Sequence, residues 1–146
     1  MNAPETNLAT QLTIAMPDLN PGERLVATVI TPNGRRDHVI RMAQEVQTSD
    51  ELTWKAAMKF AEDAGGELPD RVEGALLYAT KEEGEFEPDW YWTREQDAGD
   101  ESCAWLQSFS HGRQDNDHKG YQYRVVLVRR VAIQPFTNSE SVCDEK

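Results

Sequence analysis

The sequence has few of the features that mark secreted, membrane or metal-binding proteins. Its 146 residues include two cysteines, Cys103 and Cys143, which make no disulfide framework and have no zinc-site spacing. No apolar run approaches the roughly 18 residues that a membrane-spanning helix needs. The first ten residues have neither the basic start nor the apolar core of a signal peptide. We therefore expect a protein of the reducing cytoplasm that needs no metal and no other cofactor.

The motifs of common enzyme classes are also missing from the sequence. It contains no nucleophile elbow, no phosphate-binding glycine loop and no HExxH zinc motif. Asp115-Asn116-Asp117 begins like an EF-hand calcium loop, but Lys119 and Val126 occupy positions where that loop requires oxygen ligands. The sequence therefore predicts a protein that is not an enzyme.

Basic residues are scarce, and the resulting negative charge is confined to one segment. The chain has 26 acidic and 15 basic residues and a net charge of −11. Residues 62–101 contain 14 acidic and three basic residues, a difference equal to the whole net charge. Such a segment repels nucleic acid and anionic membranes and attracts cationic partners. The simpler alternative is a solvated surface that keeps the protein soluble.

The hydrophobic pattern predicts an α+β domain that follows an N-terminal β-hairpin. Residues 25–31 and 38–43 are strand-like, and Pro32-Asn33-Gly34 between them is a strong turn signal. We divide the chain into a β-hairpin extension over residues 1–47, a main domain over residues 48–133 and an acidic polar tail over residues 134–146. The hairpin is a candidate for mediating oligomerisation.

Two capping boxes predict two helices in the main domain. Thr48 and Glu51 form the first box, and Asp70 and Glu73 form the second. Gly65-Gly66 is expected to end the first helix. The residues expected to face the core at helical spacing are Leu52, Ala56, Phe60 and Ala64 in the first helix and Val72, Leu76 and Leu77 in the second.

The rest of the domain is predicted to be strands and polar loops. Trp90-Tyr91-Trp92-Thr93 is a short aromatic strand, residues 103–109 alternate, and residues 125–128 suit a strand buried on both faces. Residues 94–101 and 111–120 are predicted to be loops. The residues expected to be buried are Phe60, Leu76, Trp105, Val126 and Val128.

This order of elements resembles the bacterial and phage family of Lcl carboxy-terminal-like domains. The resemblance covers about residues 48–133 and is carried by Leu68-Pro69, Leu76-Leu77-Tyr78, Trp90-Tyr91-Trp92-Thr93, Ala104-Trp105, Phe109, Gly112, Lys119, Tyr123-Arg124-Val125 and Val128-Arg129-Arg130-Val131. It implies a C-type lectin-like fold, in which two helices pack on a twisted antiparallel sheet and loops are displayed for binding. It also implies a phage or prophage protein in the cytoplasm of a bacterial host, with attachment to the virion as the alternative.

The primary functional hypothesis is non-catalytic binding of a protein through the predicted loop at residues 111–119, because the family displays function on such loops. The candidate residues are His111, Arg113, Asp115, Asn116, Asp117 and His118, joined by Trp90 and Trp92. An exposed aromatic platform would favour binding through the two tryptophans, whereas packing in the core is the alternative for both.

The second hypothesis is an inhibitor whose acidic surface mimics nucleic acid. It would occupy the basic groove of a host defence protein, as an anti-restriction or anti-CRISPR protein does. Its surface comprises Glu82, Glu83, Glu85, Glu87, Asp89, Asp97, Asp100 and Glu101. Under either hypothesis the partner is a protein, and we expect no direct binding of nucleic acid or membrane.

Overall fold

Residues 14–134, the part of the chain described by the computed structural model, form two α-helices and two three-stranded antiparallel sheets. The strands are β1 (Arg24–Ile30), β2 (Arg36–Arg41), β3 (Trp90–Asp97), β4 (Asp100–Ser108), β5 (Gln114–His118) and β6 (Val128–Ala132). The helices are α1 (Trp54–Asp63) and α2 (Arg71–Thr80), with a short 3-10 turn at Gln44–Val46. The predicted α+β class is confirmed, but the strands divide into two sheets, with the orders β1-β2-β6 and β3-β4-β5. Within residues 14–134, neither helix has the length and apolar character required to cross a membrane.

The predicted N-terminal hairpin is present and joins the packing of the later elements. Strands β1 and β2 pair antiparallel around a turn in which Gly34 has a φ of 102°, and β2 also pairs with β6. One core cluster combines residues from the hairpin and from the later chain: Val26, Val29, Val39, Leu77, Tyr91, Phe109, Val126 and Val128. The division of the chain at residue 47 stays a prediction. Most of the predicted tail, including Cys143, lies outside the described residues.

The prediction that Thr48 caps the first helix is wrong. The Thr48 hydroxyl accepts a hydrogen bond from the Asp50 amide in a local turn, and the segment that follows is extended. Leu52 exchanges two backbone hydrogen bonds of 2.8 and 3.0 Å with Tyr123. The helix begins only after Thr53, whose hydroxyl accepts from the Ala56 amide. A pairing partner distant in the sequence therefore overrides the local capping signal.

This later start changes the buried face of α1. Ala57 and Ala61 are buried, whereas the predicted Ala56 is exposed and Phe60 is half-buried. Gly65, at a φ of 81°, follows the helix as predicted. The apolar residues of α1 are thus divided between fully buried positions and a partly exposed strip at the border of the core.

The second capping box is confirmed. The Asp70 side chain accepts from the Glu73 amide, and the Glu73 side chain accepts from the Asp70 amide. Leu77 is buried and Leu76 is half-buried, but the inward position predicted for Val72 is wrong, since it is 54% exposed. At about 100° per residue, Val72 points away from the face that carries Glu73 and Leu77.

The two predicted loops of the second sheet are wrong in part. Residues 94–97 continue β3 and residues 100–101 begin β4, so a turn at Ala98-Gly99 replaces the loop predicted over residues 94–101. The loop predicted over residues 111–120 contains β5, which pairs with β4 from Gln107↔Gln114 to Cys103↔His118. A polar strand at a sheet edge shows no apolar alternation, because neither face needs to be deeply buried.

The predicted central strand begins later than expected and lies at the edge of its sheet. Val125, Val126 and Leu127 are buried but precede β6, which begins at Val128. The burial predicted for Val126 and Val128 is confirmed, whereas Phe60, Leu76 and Trp105 are half-buried. A second core cluster surrounds Trp92 and comprises Met42, Ala57, Ala61, Leu68, Trp92, Ala104, Leu106, Val125 and Leu127.

Candidate functional site

Parts of the two surfaces predicted separately from the sequence lie side by side in the second sheet. The turn between β3 and β4 places Asp97 opposite Asp100, and β5 places Asp117 opposite Ala104. The side-chain amide of Asn116, in β5, donates a hydrogen bond to the Asp97 carboxylate. We name this region the acidic edge and define it by the carboxylates of Asp97, Asp100, Glu101, Asp115 and Asp117; those of Asp115 and Asp117 leave the face of the sheet opposite to the one that carries Asn116.

The acidic edge has no lysine or arginine partner within the described chain. Among residues 14–134, no lysine or arginine nitrogen lies within 4.0 Å of its carboxylates. The ammonium group of Lys119 donates to Gln96 and lies 4.4 Å from the centre of the Trp54 ring. The negative charge of the acidic edge therefore remains available to a cationic group of a partner.

Two outward N–H groups of β5 are already hydrogen-bonded by side chains of the same strand. The ladder to β4 uses the backbone of Arg113 and Lys119, so the alternation of an antiparallel strand turns the N–H groups of Asn116 and His118 outward. Each of these N–H groups donates at 2.8 Å to the carboxylate of the preceding aspartate. These bonds occupy two of the outward donors and so weaken the addition of a strand from another chain.

Two other carboxylates of the predicted acidic surface pair with arginines from distant parts of the chain. Arg24 and Arg41 lie 3.0 and 2.7 Å from the Glu85 carboxylate, whose side chain is 4% exposed. Arg124 lies 3.1 Å from Asp89. Glu82, Glu83 and Glu87 are exposed on a different segment, before β3. The predicted acidic surface is therefore divided, and Glu85 and Asp89 form ion pairs with arginines of the same chain.

The other predicted binding residues lie at the opposite end of β5. His111 stacks edge-to-face on the half-buried Trp90 ring, with 5.9 Å between ring centres, and Arg113 is exposed beside it. The length of β5 separates these residues from His118. Trp92 is completely buried in the core, and its indole N–H donates to the Leu52 carbonyl at 2.8 Å. Only Trp90 of the two tryptophans therefore reaches this surface.

The turn that joins β4 to β5 depends on Gly112. It has a φ of 81°, and a Cβ atom at this position would lie 2.6 Å from Cε2 of Tyr78. We expect Gly112→Ala to reduce the free energy of unfolding by roughly 2–4 kcal/mol, through left-handed backbone strain and overpacking together. Gly84→Ala is the matched control, because Gly84 has a φ of 79° with no atom within 4 Å of the added Cβ. Urea denaturation should show the smaller loss for Gly84→Ala, and equal losses would exclude the Tyr78 contact as a cause.

Hydrogen bonds and burial adjust the ionisation of groups at the acidic edge. The hydroxyl and amide of Ser102 hold the pKa of Asp100 below its ordinary value. Partial burial raises the pKa of the Cys103 thiol, and the nearby Asp100 carboxylate adds to the rise. Burial and the hydrogen bond to Asp117 likewise raise the pKa of Tyr123. Asp100 is thus held in its charged form and Cys103 in its protonated form, which is a poor nucleophile.

Across residues 14–134, no three His, Cys, Asp or Glu side chains are grouped so that they could hold a metal ion.

An open groove beside α1 was not predicted from the sequence. Its volume is about 1060 Å³, and its apolar lining includes Leu52, Ala56, Met58, Phe60 and Leu68. Lys55, Lys59, Glu62 and Asp63 of α1 also border the groove. One feature of the sequence indicates the groove: the apolar residues between positions 52 and 64 are too many to fit on one buried helix face.

Compared with known proteins, the chain has no match among protein-family models and none among curated sequences. Its function is therefore argued from the contacts and charges of residues 14–134. Two surfaces stand out in that part of the chain: the acidic edge and the groove beside α1.

Proposed function

We propose that this chain is a non-catalytic module that binds a protein with a basic surface through the acidic edge. The observation that carries the proposal is the contrast in pairing. Carboxylates of the acidic edge lack lysine and arginine partners within the described chain, whereas Glu85 and Asp89 have arginine partners. Unpaired charges gathered on one edge steer a cationic surface toward it and select against partners of the wrong sign.

We also propose that residues 48–133 have a C-type lectin-like fold and a phage or prophage origin, as the resemblance to Lcl carboxy-terminal-like domains implies. The support is the order of elements, in which two helices precede an aromatic strand that pairs with β4. The loop face expected for such a domain is replaced here by the surface of β5 and the neighbouring β3–β4 turn. The site of action would be the cytoplasm of a bacterial host.

The nucleic-acid mimic is the second candidate, and the lack of lysine and arginine partners at the acidic edge, within the described chain, also favours it. A mimic acts through its summed charge, so all exposed carboxylates contribute and single positions matter little. A specific protein-binding site depends on the position of a few groups. The two functions therefore differ in how binding responds to charge removed at different places.

Two variants with equal changes in charge separate these functions. One carries Asp100→Asn, Glu101→Gln and Asp115→Asn on the acidic edge, and its matched control carries Glu82→Gln, Glu83→Gln and Glu87→Gln. Full-length wild-type and variant chains are immobilised, and proteins captured from bacterial lysate are identified and then titrated individually. We expect the acidic-edge variant to bind the captured partner about tenfold more weakly, or about 1.4 kcal/mol, with the control unchanged.

The other outcomes have definite meanings. Equal weakening by both variants, together with a steep dependence on salt, would replace the proposal with the nucleic-acid mimic. Unchanged binding by the acidic-edge variant would exclude the acidic edge as the binding surface.

A further inference from the structure

The charges of α1 are arranged against the dipole of the helix. Lys55 lies in the first turn, and Glu62 and Asp63 lie in the last, so neither end has a residue of the stabilising sign. Lys59 contacts Asp63 at 3.2 Å, with the lysine on the N-terminal side, which is the weaker orientation for such a pair. Because the helix N-terminus favours acids and the C-terminus favours bases, this order does not stabilise the isolated helix.

These four charged side chains share one flank of α1, beside a partly exposed apolar strip. At about 100° per residue, Lys55, Lys59, Glu62 and Asp63 project within one sector of the helix surface. Lys59 and Asp63 keep 72% and 62% of their side chains exposed, despite their contact. The strip is formed by exposed Ala56 and half-buried Phe60, which line the groove beside the helix; Phe60 also packs against the core cluster around Trp92. The strip and the charged flank together have the composition of an interface centre and its rim.

We infer that a second copy of this chain covers this surface, with the two α1 helices packed antiparallel across a two-fold axis. Such an axis brings each flank of one helix against the same flank of its partner and reverses the order along it. Lys55 and Lys59 of each copy then face the acidic pair, Glu62 and Asp63, of the other. The strip formed by Ala56 and Phe60 meets its own copy at the centre.

Only the antiparallel arrangement brings the basic residues of one α1 helix against the acidic residues of the other. A parallel pair would bring the basic halves of both helices to one end and the acidic halves to the other, and like charges would repel. Antiparallel packing also places the N-terminus of each helix beside the acidic end of its partner, which offsets the unfavourable charge order. This dimer differs from the oligomerisation through the N-terminal hairpin that the sequence suggested, and it does not depend on the acidic edge.

Charge reversal with complementation tests the proposed dimer. Sedimentation equilibrium of the full chain at low salt is compared for the wild type, Lys55→Glu/Lys59→Glu, Glu62→Lys/Asp63→Lys and an equimolar mixture of the two variants. We expect the wild type to be a dimer. The dissociation constant of each variant alone should be about tenfold higher or more. In the mixture, every reversed flank meets a complementary one, so dimers form again.

Controls separate a lost interface from a lost fold and from net charge. Circular dichroism should show unchanged helix content, and Lys55→Glu places an acid in the first turn of the helix, where it stabilises the helix. Net charge alone would weaken one variant and strengthen the other, because the substitutions change it in opposite directions. A monomeric wild type, dimers that persist in both variants or a mixture that stays monomeric would each overturn the inference.

Discussion

Replacing Glu73 by glutamine is expected to reduce the free energy of unfolding by roughly 3 kcal/mol. Glu73 is completely buried at the start of α2, and its carboxylate accepts hydrogen bonds from Arg35 and Arg130. It also accepts from the Asp70 amide at 2.9 Å as part of the capping box. Glutamine preserves the size of the side chain but removes the charge that both arginines pair with. Urea denaturation at neutral pH measures the loss.

Glu67→Gln is the matched control for this substitution. Glu67 pairs with the same Arg130 guanidinium, but its side chain is 53% exposed. Solvent-exposed ion pairs contribute about 0–1 kcal/mol, so we expect a loss within that range. Equal losses for the two variants would show that burial does not determine the strength of these ion pairs.

The stabilisation by Glu73 should disappear in acid. Burial raises the pKa of Glu73, but hydrogen bonds from Arg130, the Asp70 amide and Arg35 lower it by a larger amount. The net result is a pKa below the ordinary value of 4.5. A carboxylate with a depressed pKa stabilises the fold above its unfolded-state pKa and loses this effect as the pH falls through its folded-state pKa. The difference in stability between wild type and Glu73→Gln should therefore be constant near neutral pH and shrink below about pH 4. A difference that increases on acidification would contradict this assignment.

The capping box at Asp70 and Glu73 illustrates how far the sequence alone predicts this fold. The box was predicted because its two members are three residues apart and interact through local backbone. The buried ion cluster around Glu73 was not, since Arg35 and Arg130 are 38 and 57 residues away along the chain. Local chemistry identified the helix start, whereas the charge partners depend on strand pairing.

The candidate site shows the same limit. Its acidic residues were identified from composition, but they were assigned to two separate surfaces. The pairing of β3, β4 and β5 brings Asp97 and Asn116 into contact, and no local pattern in the polar segment 114–118 indicated a strand. Distant arginines remove Glu85 and Asp89 from the predicted surface. The sequence therefore predicted the acidic character, but not which carboxylates remain unpaired.

Replacing Trp92 by alanine should reduce the free energy of unfolding by about 3–5 kcal/mol, as large truncations in protein cores do. Trp92 is completely buried, and its ring packs edge-to-face on Tyr123 with 5.2 Å between ring centres. Its indole N–H donates to the carbonyl of Leu52, immediately before the α1 cap at Thr53. Truncation leaves a cavity in the core and removes a hydrogen bond that fixes the entry to α1.

Trp90→Ala is the matched control, because it removes the same ring from the same strand at a half-buried position. Trp90 contacts His111 near the surface, so we expect a loss of roughly 1–2 kcal/mol from its smaller buried area. Urea denaturation followed by far-ultraviolet circular dichroism compares the two variants without depending on tryptophan fluorescence. Since Trp92 holds the segment that leads into α1, Trp92→Ala should also weaken the proposed dimer, whereas Trp90→Ala should leave it unchanged. Equal losses of stability would contradict the central position of Trp92 in the core.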